Sequence, residues 1–192
     1  MAEERQVEAL LERVSEGTQP GERLESLEAL KHLLSSGPSG VDAFAAMGAP
    51  VMCAMLRDDQ DNFDLVQGAL ECLLAAAGGP LEASAAAAEP LQPPYAHVCG
   101  AITGDASSLQ LLLSMLDSDA PSMADFYVRY TTVQLLSRLV TAAPAVVQGA
   151  VLERQQVCKP EAHDRVVRRQ ECRLHCVNRL EDRHKPAAAG TV

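Results

Sequence analysis

The sequence contains no tryptophan, and aromatic residues make up only 3% of its 192 residues. Strands favour aromatic and β-branched side chains, whereas this chain is rich in alanine and leucine, which favour helices. The composition therefore predicts an all-α protein. No run approaches the roughly 20 consecutive apolar residues that span a bilayer, and the N-terminus begins with acidic residues rather than a secretory signal. We expect a cytoplasmic protein whose cysteines are mostly reduced.

The sequence also lacks the short motifs that carry common catalytic chemistry. It contains no glycine-rich phosphate loop, no G-x-S-x-G nucleophile elbow and no H-E-x-x-H metal motif. The acidic residues of 1–77 fall at outward helical positions, where they face solvent rather than pair for acid–base catalysis. We therefore predict that the protein is not an enzyme, with no catalytic residue, no metal and no cofactor.

Charge is present but unevenly placed. The formal net charge is −10, made up of −13 over residues 1–152 and +3 over residues 153–192. A negative surface argues against general binding of nucleic acid or of an anionic membrane. The basic segment 154–192 has lost the leucine and alanine spacing of the rest, and we predict that it is a disordered or weakly helical tail.

Apolar residues recur at the i, i+3, i+4, i+7 spacing of a helix through the first part of the chain. The predicted helices are 4–16, 21–35, 41–47, 51–56, 63–77, 107–116, 126–143 and one that starts at 145. Gly48-Ala49-Pro50 acts as a break between the third and fourth of these helices, and the polar run before Phe63 acts as a break between the fourth and fifth. The residues predicted to face the core are Val7, Leu10, Leu11, Val14, Leu24, Leu27, Leu30, Leu34, Phe63, Val66, Leu70, Leu73, Leu74, Leu109, Leu112, Leu113 and Leu116.

Three of these helices repeat one another. The segments that start at Ala29-Leu30, Ala69-Leu70 and Leu135-Leu136 share one apolar pattern, with offsets of 40 and then 66 residues. A period of about 40 residues is typical of armadillo or HEAT repeats, in which each unit buries its apolar face only against a stacked neighbour. We therefore predict an armadillo-like α-solenoid of about three repeats. The longer second offset indicates an insertion, which we predict to be a partly disordered surface loop over 78–104.

Three cysteines and one glycine have structural interpretations. Cys53, Cys72 and Cys99 lie among apolar or small residues and are predicted to be buried. Gly68 lies in the middle of a helix, where it costs up to about 1 kcal/mol relative to alanine. We predict that a neighbouring helix comes close to it.

The basic tail offers a metal-binding alternative. Its candidate ligands have loose zinc spacing but lack the C-x2-C pairs of strong zinc motifs; they are Cys158, His163, Cys172, His175, Cys176 and His184. The arginines of the tail are compatible with phosphate or an acidic surface, or with a solvated charged face.

The candidate partner-binding residues lie at the head of the long helix 126–143. They are Tyr127, Arg129 and Tyr130, and tyrosine and arginine are enriched at interface hot spots. Two alternatives stay open: the aromatic rings pack against the preceding helix, and Arg129 pairs with Asp125 four residues earlier.

The ordered run of segments resembles one known family. The segments FYVRYTTVQLLSRLVTAAPAVVQGAVL and SLQLLLSMLDSD, with VEALLERVSEGTQPGERLESLEALKHLL and FDLVQGALECLLAA upstream, are similar to the N-terminal armadillo-like head of the Uso-type general vesicular transport factors. The resemblance covers about residues 5–153 and gives two predicted regions, a partial head domain over 1–153 and an unrelated tail over 154–192. The similarity stops near Leu152, so the head is expected to be truncated.

The resemblance implies a peripheral Golgi protein that acts in ER-to-Golgi and intra-Golgi vesicle docking. It implies partners as well: Rab/Ypt-type GTPases, self-association, and Golgi and vesicle membranes, with no nucleic acid. A solenoid cut after about three repeats leaves an apolar stacking face that a further repeat covers. Two other interpretations remain open, a generic armadillo or HEAT adaptor unrelated to trafficking and a zinc-bound basic tail that binds nucleic acid.

Overall fold

The structure, a computed structural model, describes residues 2–17, 19–80, 91–116 and 126–154. These residues form eight α-helices and no strand. Their bounds are α1 Ala2–Glu16, α2 Pro20–Ser36, α3 Ser39–Asp58, α4 Phe63–Ala76, α5 Pro93–Gly104, α6 Ala106–Ser114, α7 Phe126–Ala142 and α8 144–154. The all-α prediction is confirmed.

The helices form two layers. In one layer α3 contacts both α1 and α5, and in the other α4 contacts both α2 and α7. The pairs α1–α2, α3–α4 and α5–α7 join the layers. The three helices that share an apolar pattern in the sequence are therefore the members of one layer, and the predicted armadillo-like stacking is confirmed.

The core lies between the layers. Val7, Leu10, Leu11 and Val14 of α1 are all buried, as are Leu27, Leu30 and Leu34 of α2, so the spacing rule identified the inward face of both helices. Leu24 and Leu116 are only partly buried. All but one of the remaining predicted core residues are buried. The buried ones are Val66, Leu70, Leu73, Leu74, Leu109, Leu112 and Leu113.

The exception is Phe63, and its predicted burial is wrong. Its side chain is exposed because it is the first residue of α4, next to the N-cap Asn62. Asn62 accepts a hydrogen bond from the backbone N–H of Leu65, which fixes where the helix begins. The helix start leaves Phe63 at the rim of the layer.

α3 differs from the sequence prediction. Two short helices, 41–47 and 51–56, are predicted, but a single helix continues from Ser39 to Asp58 with Pro50 inside it. The prediction of a break at this proline is wrong.

Burial explains why α3 continues through Pro50. A proline inside a helix removes a hydrogen bond and costs about 3 kcal/mol. On the continuous helix Phe44, Met52 and Leu56 are all fully buried, and each such side chain contributes about 1.5–3 kcal/mol. Gly48 lies beneath the ring of Phe44, where a Cβ atom would overlap the ring. Two broken helices would not keep these side chains in register.

The predicted surface loop over 78–104 is also partly wrong. Residues Pro93–Gly104 form α5, which begins with two prolines in its first turn, where their missing N–H groups are not needed. Val98, Cys99 and Ile102 give α5 a buried face against α3 and α7. The sequence pattern did not predict this helix, because its apolar face is short and prolines and glycines surround it. Residues 81–90 lie outside the described residues.

α3 alone, among the described residues, is long and apolar enough to cross a membrane by length and composition. Half of its most apolar window is buried inside the protein, and it contacts α1, α4 and α5. These contacts are those of a core helix.

The chain divides into two units, Met1–Val151 and Leu152–Val192. Only Leu152–Arg154 of the second unit are described. Residues 155–192 of the predicted tail, which include all its candidate zinc ligands, lie outside the described residues. The tail and its boundary between 153 and 154 stay predictions.

Candidate partner-binding site

The exposed apolar surface is concentrated on α7. The inward face of this helix is formed by Val128, Thr132, Leu135 and Leu139, which are buried. Residues on the opposite side of the helix at its first turns are Phe126, Tyr127 and Tyr130, and all three are more than half exposed. Large aromatic side chains exposed together are uncommon on a protein surface and are typical of contact sites.

The three aromatic rings form one cluster, here called the aromatic cluster. The rings of Phe126 and Tyr130, four residues apart on the helix, are stacked with centroids 5.8 Å apart and planes 15° apart. The rings of Phe126 and Tyr127 meet edge to face, with centroids 5.7 Å apart. Such pairs contribute about 0.5–1.5 kcal/mol, which holds the rings in place on the surface.

The structure brings the predicted site residues onto one turn of α7. Tyr127 and Tyr130 are exposed rather than packed against the preceding helix, and Arg129 between them is half buried. Asp125, the alternative partner of Arg129, lies outside the described residues. Phe126 was not among the predicted site residues, although its i, i+4 spacing from Tyr130 is a signal for a ring pair.

A polar network on the α2–α4–α7 layer fixes the position of α7 relative to its neighbours. Lys31 Nζ of α2 donates to Glu71 Oε2 of α4 at 2.8 Å. Gln67 Nε2 donates to Glu71 Oε1 at 2.7 Å and to Thr131 Oγ1 of α7 at 3.2 Å. The network therefore runs from α2 across α4 to α7.

The network also sets the ionisation of its charged members. The hydrogen bond to Glu71 raises the pKa of Lys31. Burial acts to raise the pKa of Glu71, but the hydrogen bonds from Lys31 and Gln67 outweigh it and the net pKa is lowered. Both groups are thus charged at neutral pH. Gln67 Oε1 is buried without a hydrogen-bond partner among the described residues.

Arg138 anchors the other end of α7. Its Nε donates to the carbonyl of Gly79 at 2.6 Å, and its Nη2 donates to the carbonyls of Gly78 and Pro80 at 2.9 and 3.0 Å. These carbonyls follow the C-terminal end of α4, which carries partial negative charge. The buried guanidinium therefore ties α7 to the end of α4.

A group of acidic residues lies away from α7, between α1 and α2. A groove of about 850 Å³ between α1 and α2 is lined by four glutamates and one arginine together with small and apolar residues; the charged residues are Glu12, Arg13, Glu16, Glu22 and Glu25. No group of three or more His, Cys, Asp or Glu residues within the described part of the chain is arranged to hold a metal ion. The described residues thus form an apolar and aromatic surface on α7 and an acidic groove between α1 and α2, with α4 between α2 and α7 in their layer.

Comparison with known proteins gives relatives for this fold and sequence. No family model matches the chain. Over 150 residues, 78% of this chain, the sequence is 33% identical to Golgin candidate 6 of Arabidopsis thaliana. The chain spans 16% of the length of that protein.

Solved structures show the same architecture. The crystal structure of Uso1-1 superimposes with a TM-score of 0.61 over 79% of this chain at 18% identity, and the crystal structure of Uso1-2 gives the same TM-score over 77%. This chain covers 25% and 24% of those chains. The predicted resemblance to the Uso-type helical head is confirmed, with Uso1 as the structural neighbour and a golgin as the sequence relative.

Proposed function

We propose that this chain is a head segment of a vesicle-tethering protein of the Golgi, which acts through protein–protein contacts and not by catalysis. The observation that carries the proposal is the 33% identity to Golgin candidate 6 over 78% of the chain, and the Uso1 fold supports it. The role comprises ER-to-Golgi and intra-Golgi vesicle docking. The location is the cytoplasmic side of Golgi membranes, with peripheral attachment.

The aromatic cluster with Arg129 is the proposed contact site for a Rab/Ypt-type GTPase. Tyrosine and arginine side chains contribute a large share of interface energy when a partner covers them. Tyr127 and Tyr130 are exposed, and their ring contacts with Phe126 reduce the entropy that binding has to overcome. Self-association of the head is the second proposed contact.

A nucleotide-dependent binding experiment tests the proposal. The full chain is immobilised and incubated with Golgi Rab GTPases loaded either with a non-hydrolysable GTP analogue or with GDP. We expect binding of the GTP form and loss of at least about tenfold in affinity in the double variant Tyr127→Ala, Tyr130→Ala. The matched control is Phe63→Ala, which removes an exposed aromatic side chain from α4.

Localisation distinguishes the rival interpretation. A tagged full chain should be enriched on Golgi membranes, and the double variant should be less enriched while Phe63→Ala is unchanged. Equal binding of the GTP and GDP forms, with a diffuse cellular distribution, would instead identify a generic helical-repeat adaptor unrelated to trafficking.

A further inference from the structure

A cavity of about 240 Å³ lies between α2 and α4, which are neighbours in one layer. It is here called the α2–α4 cavity. Pockets that hold drug-sized ligands have about 300–1,000 Å³, so this cavity is of a size for a single side chain. Its lining combines apolar, amide and charged residues: Leu24, Leu27, Glu28 and Lys31 of α2, and Asp64, Gln67, Gly68 and Glu71 of α4.

The charges of the cavity are not balanced by the residues around it. Three acidic residues, Glu28, Asp64 and Glu71, line it together with one basic residue, Lys31. Lys31 Nζ donates to Glu71 Oε2 at 2.8 Å, so these two charges compensate each other. Glu28 and Asp64 are exposed, and neither forms an ion pair with another described residue. Two carboxylates at the cavity therefore lack a counter-charge within the described part of the chain.

Gln67 leaves one hydrogen-bond acceptor unused at the wall of the cavity. Its Nε2 donates to Glu71 Oε1 and to Thr131 Oγ1, which uses both amide hydrogens. Its Oε1 is buried and accepts no hydrogen bond from a described residue, whereas buried acceptors in native proteins nearly always have a donor. A ligand in the cavity that brings an N–H group supplies one. The half-buried Gln67 side chain has to shift slightly for this contact, because Oε1 itself is covered.

The arrangement of the carboxylates favours a guanidinium over a compact cation. No group of three or more His, Cys, Asp or Glu among the described ranges is arranged to hold a metal ion, so Glu28, Asp64 and Glu71 do not converge on one point. A guanidinium reaches separated acceptors, because its five N–H donors are spread around a planar group. The aliphatic stem of an arginine also packs on apolar surface, and Leu24 is only partly buried.

We propose that the α2–α4 cavity binds an arginine side chain of a partner protein. The stem packs on Leu24, the guanidinium pairs with the carboxylates of Glu28 and Asp64, and one N–H group donates to Gln67 Oε1. A protein partner matches both the size and the charge of the cavity, and arginine is enriched among the residues that dominate interface energy. The inference is independent of the proposed Golgi function, because it uses no residue of the aromatic cluster.

Nuclear magnetic resonance of the isotope-labelled full chain tests the proposal. The probe is a blocked tripeptide with arginine between two alanines, titrated to about 50 mM because a single side chain binds with a Kd of roughly 1–10 mM. We expect saturable shifts at the backbone amides of Leu27, Gln67 and Gly68. The same tripeptide with citrulline, a neutral residue of nearly the same shape, should bind at least about fivefold more weakly.

A matched pair of double variants separates the cavity from the overall charge. Glu28→Gln with Asp64→Asn should weaken binding of the arginine tripeptide by about three- to tenfold, as expected for two partly exposed ion pairs. Glu3→Gln with Glu8→Gln removes the same charge from α1, at exposed positions that do not line the cavity, and should leave binding unchanged. Thermal melts that match the unmodified protein confirm that both variants fold.

Four results would overturn the inference. The first is the absence of saturable shifts over the whole titration, and the second is equal binding of the arginine and citrulline tripeptides. The third is an equal loss in both double variants, which assigns the binding to net charge rather than to the cavity. The fourth is tighter binding of free arginine than of the blocked tripeptide, which assigns the cavity to a small molecule instead of a partner side chain.

Discussion

Leu27 Cδ1 lies 3.0 Å from the place that a Cβ atom would occupy on Gly68. This contact is the closest approach of α2 to α4 at a glycine, and it explains why a residue that weakens helices stands in the middle of α4. Gly68, Gly48 and Gly100, three of the glycines within helices, have different surroundings. A Cβ on Gly100 would meet nothing within 4 Å, whereas one on Gly48 would overlap the buried ring of Phe44.

The three glycines predict a graded response to alanine. Gly100→Ala should raise the free energy of unfolding by about 0.5–1 kcal/mol, because it gains helix propensity at no steric cost. Gly68→Ala should gain less, since Leu27 has to move by a few tenths of an ångström. Gly48→Ala should lower the free energy of unfolding by roughly 1–3 kcal/mol, because the added Cβ would overlap the fully buried ring of Phe44 and force it to move.

Urea unfolding followed by circular dichroism checks this order. The prediction depends on the ranking rather than on any one value, so each variant serves as a control for the other two. If Gly48→Ala proved as stable as Gly100→Ala, the contact between Phe44 and Gly48 would not be a constraint on α3.

The periodicity of the sequence predicted the layer of α2, α4 and α7 because each of these helices has one wide apolar face. It also predicted the close approach at Gly68, since an unfavourable residue in a strong helix needs a packing reason. The aromatic and arginine residues at the head of α7 were predicted as a site from residue type alone. Tyr127 and Tyr130 are exposed because they lie opposite the inward face of α7, whereas Arg129 is half buried.

Prediction from the sequence failed where burial in the fold overrides the local preference of a residue for helix or loop. Pro50 is a strong helix breaker, yet α3 continues because the whole helix is packed on several sides. α5 has few apolar residues and begins with two prolines, and its burial depends on α3 and α7, which are distant in the sequence. An exposed apolar stacking face was predicted from the sequence without its position, and the structure shows Val133 and Val140 of α7 exposed.

Arg138 should be a large contributor to the stability of the α4–α7 junction. Arg138→Met keeps the aliphatic part of the side chain but leaves three backbone carbonyls without their donor. Hydrogen bonds from charged donors contribute about 1.5–3 kcal/mol, so we expect a loss of about 2–3 kcal/mol in the free energy of unfolding. Arg138→Lys, which retains the charge and one donor group, should recover part of it.

Thermal and urea unfolding of both variants measure the effect. Gly78 and Gly79 both have positive φ angles, so the turn is already favoured by its glycines. If the free energy of unfolding of Arg138→Met were within about 0.5 kcal/mol of that of the unmodified protein, the glycines alone would stabilise the turn and the guanidinium would contribute little.

The buried thiols should react slowly in the folded protein. Burial raises the pKa of Cys72 to about 12 and that of Cys99 to about 11, and it also raises the pKa of Cys53. The thiolate is the reactive form, and access to all three sulfur atoms is blocked. At about pH 8 we expect alkylation by iodoacetamide to be at least about a hundredfold slower than in the unfolded chain.

Peptide-level mass spectrometry after timed quenching measures each site separately. The same chain in urea supplies the control, because the three thiols should then react at similar rates. Rapid labelling of Cys72 without urea would show that α4 opens locally from α2, where the Cys72 thiol now donates to the carbonyl of Leu27 at 3.3 Å.

Asp105 should give the protein a pH-dependent helix cap. The carboxylate accepts hydrogen bonds from the backbone N–H groups of Ser107 and Ser108 at the start of α6, and Arg57 Nη2 lies 3.2 Å from its Oδ2. Hydrogen bonds from the hydroxyls of Ser108 and Ser107 lower the pKa of Asp105 to about 2 from its ordinary value of 3.8. The folded state therefore favours the charged form.

The sign of the pH effect follows from that lowered pKa. A carboxyl group whose pKa is lower in the folded chain contributes its stability above about pH 4 and loses it as the pH falls toward 2. At neutral pH Asp105→Ala should lower the free energy of unfolding by about 1 kcal/mol, as expected for loss of an N-cap. The difference from the unmodified protein should narrow between about pH 4.5 and pH 2.5, because protonation weakens the same cap in the unmodified protein.

Asp105→Asn separates the cap from the charge. Asparagine is also a good N-cap residue but does not titrate, so this variant should keep most of the stability at neutral pH and show a smaller change on acidification. Urea midpoints at a series of pH values give all three curves. A difference between Asp105→Ala and the unmodified protein that stayed constant down to about pH 2.5 would contradict a contribution from the charged carboxylate, because such a contribution has to disappear as the group is protonated.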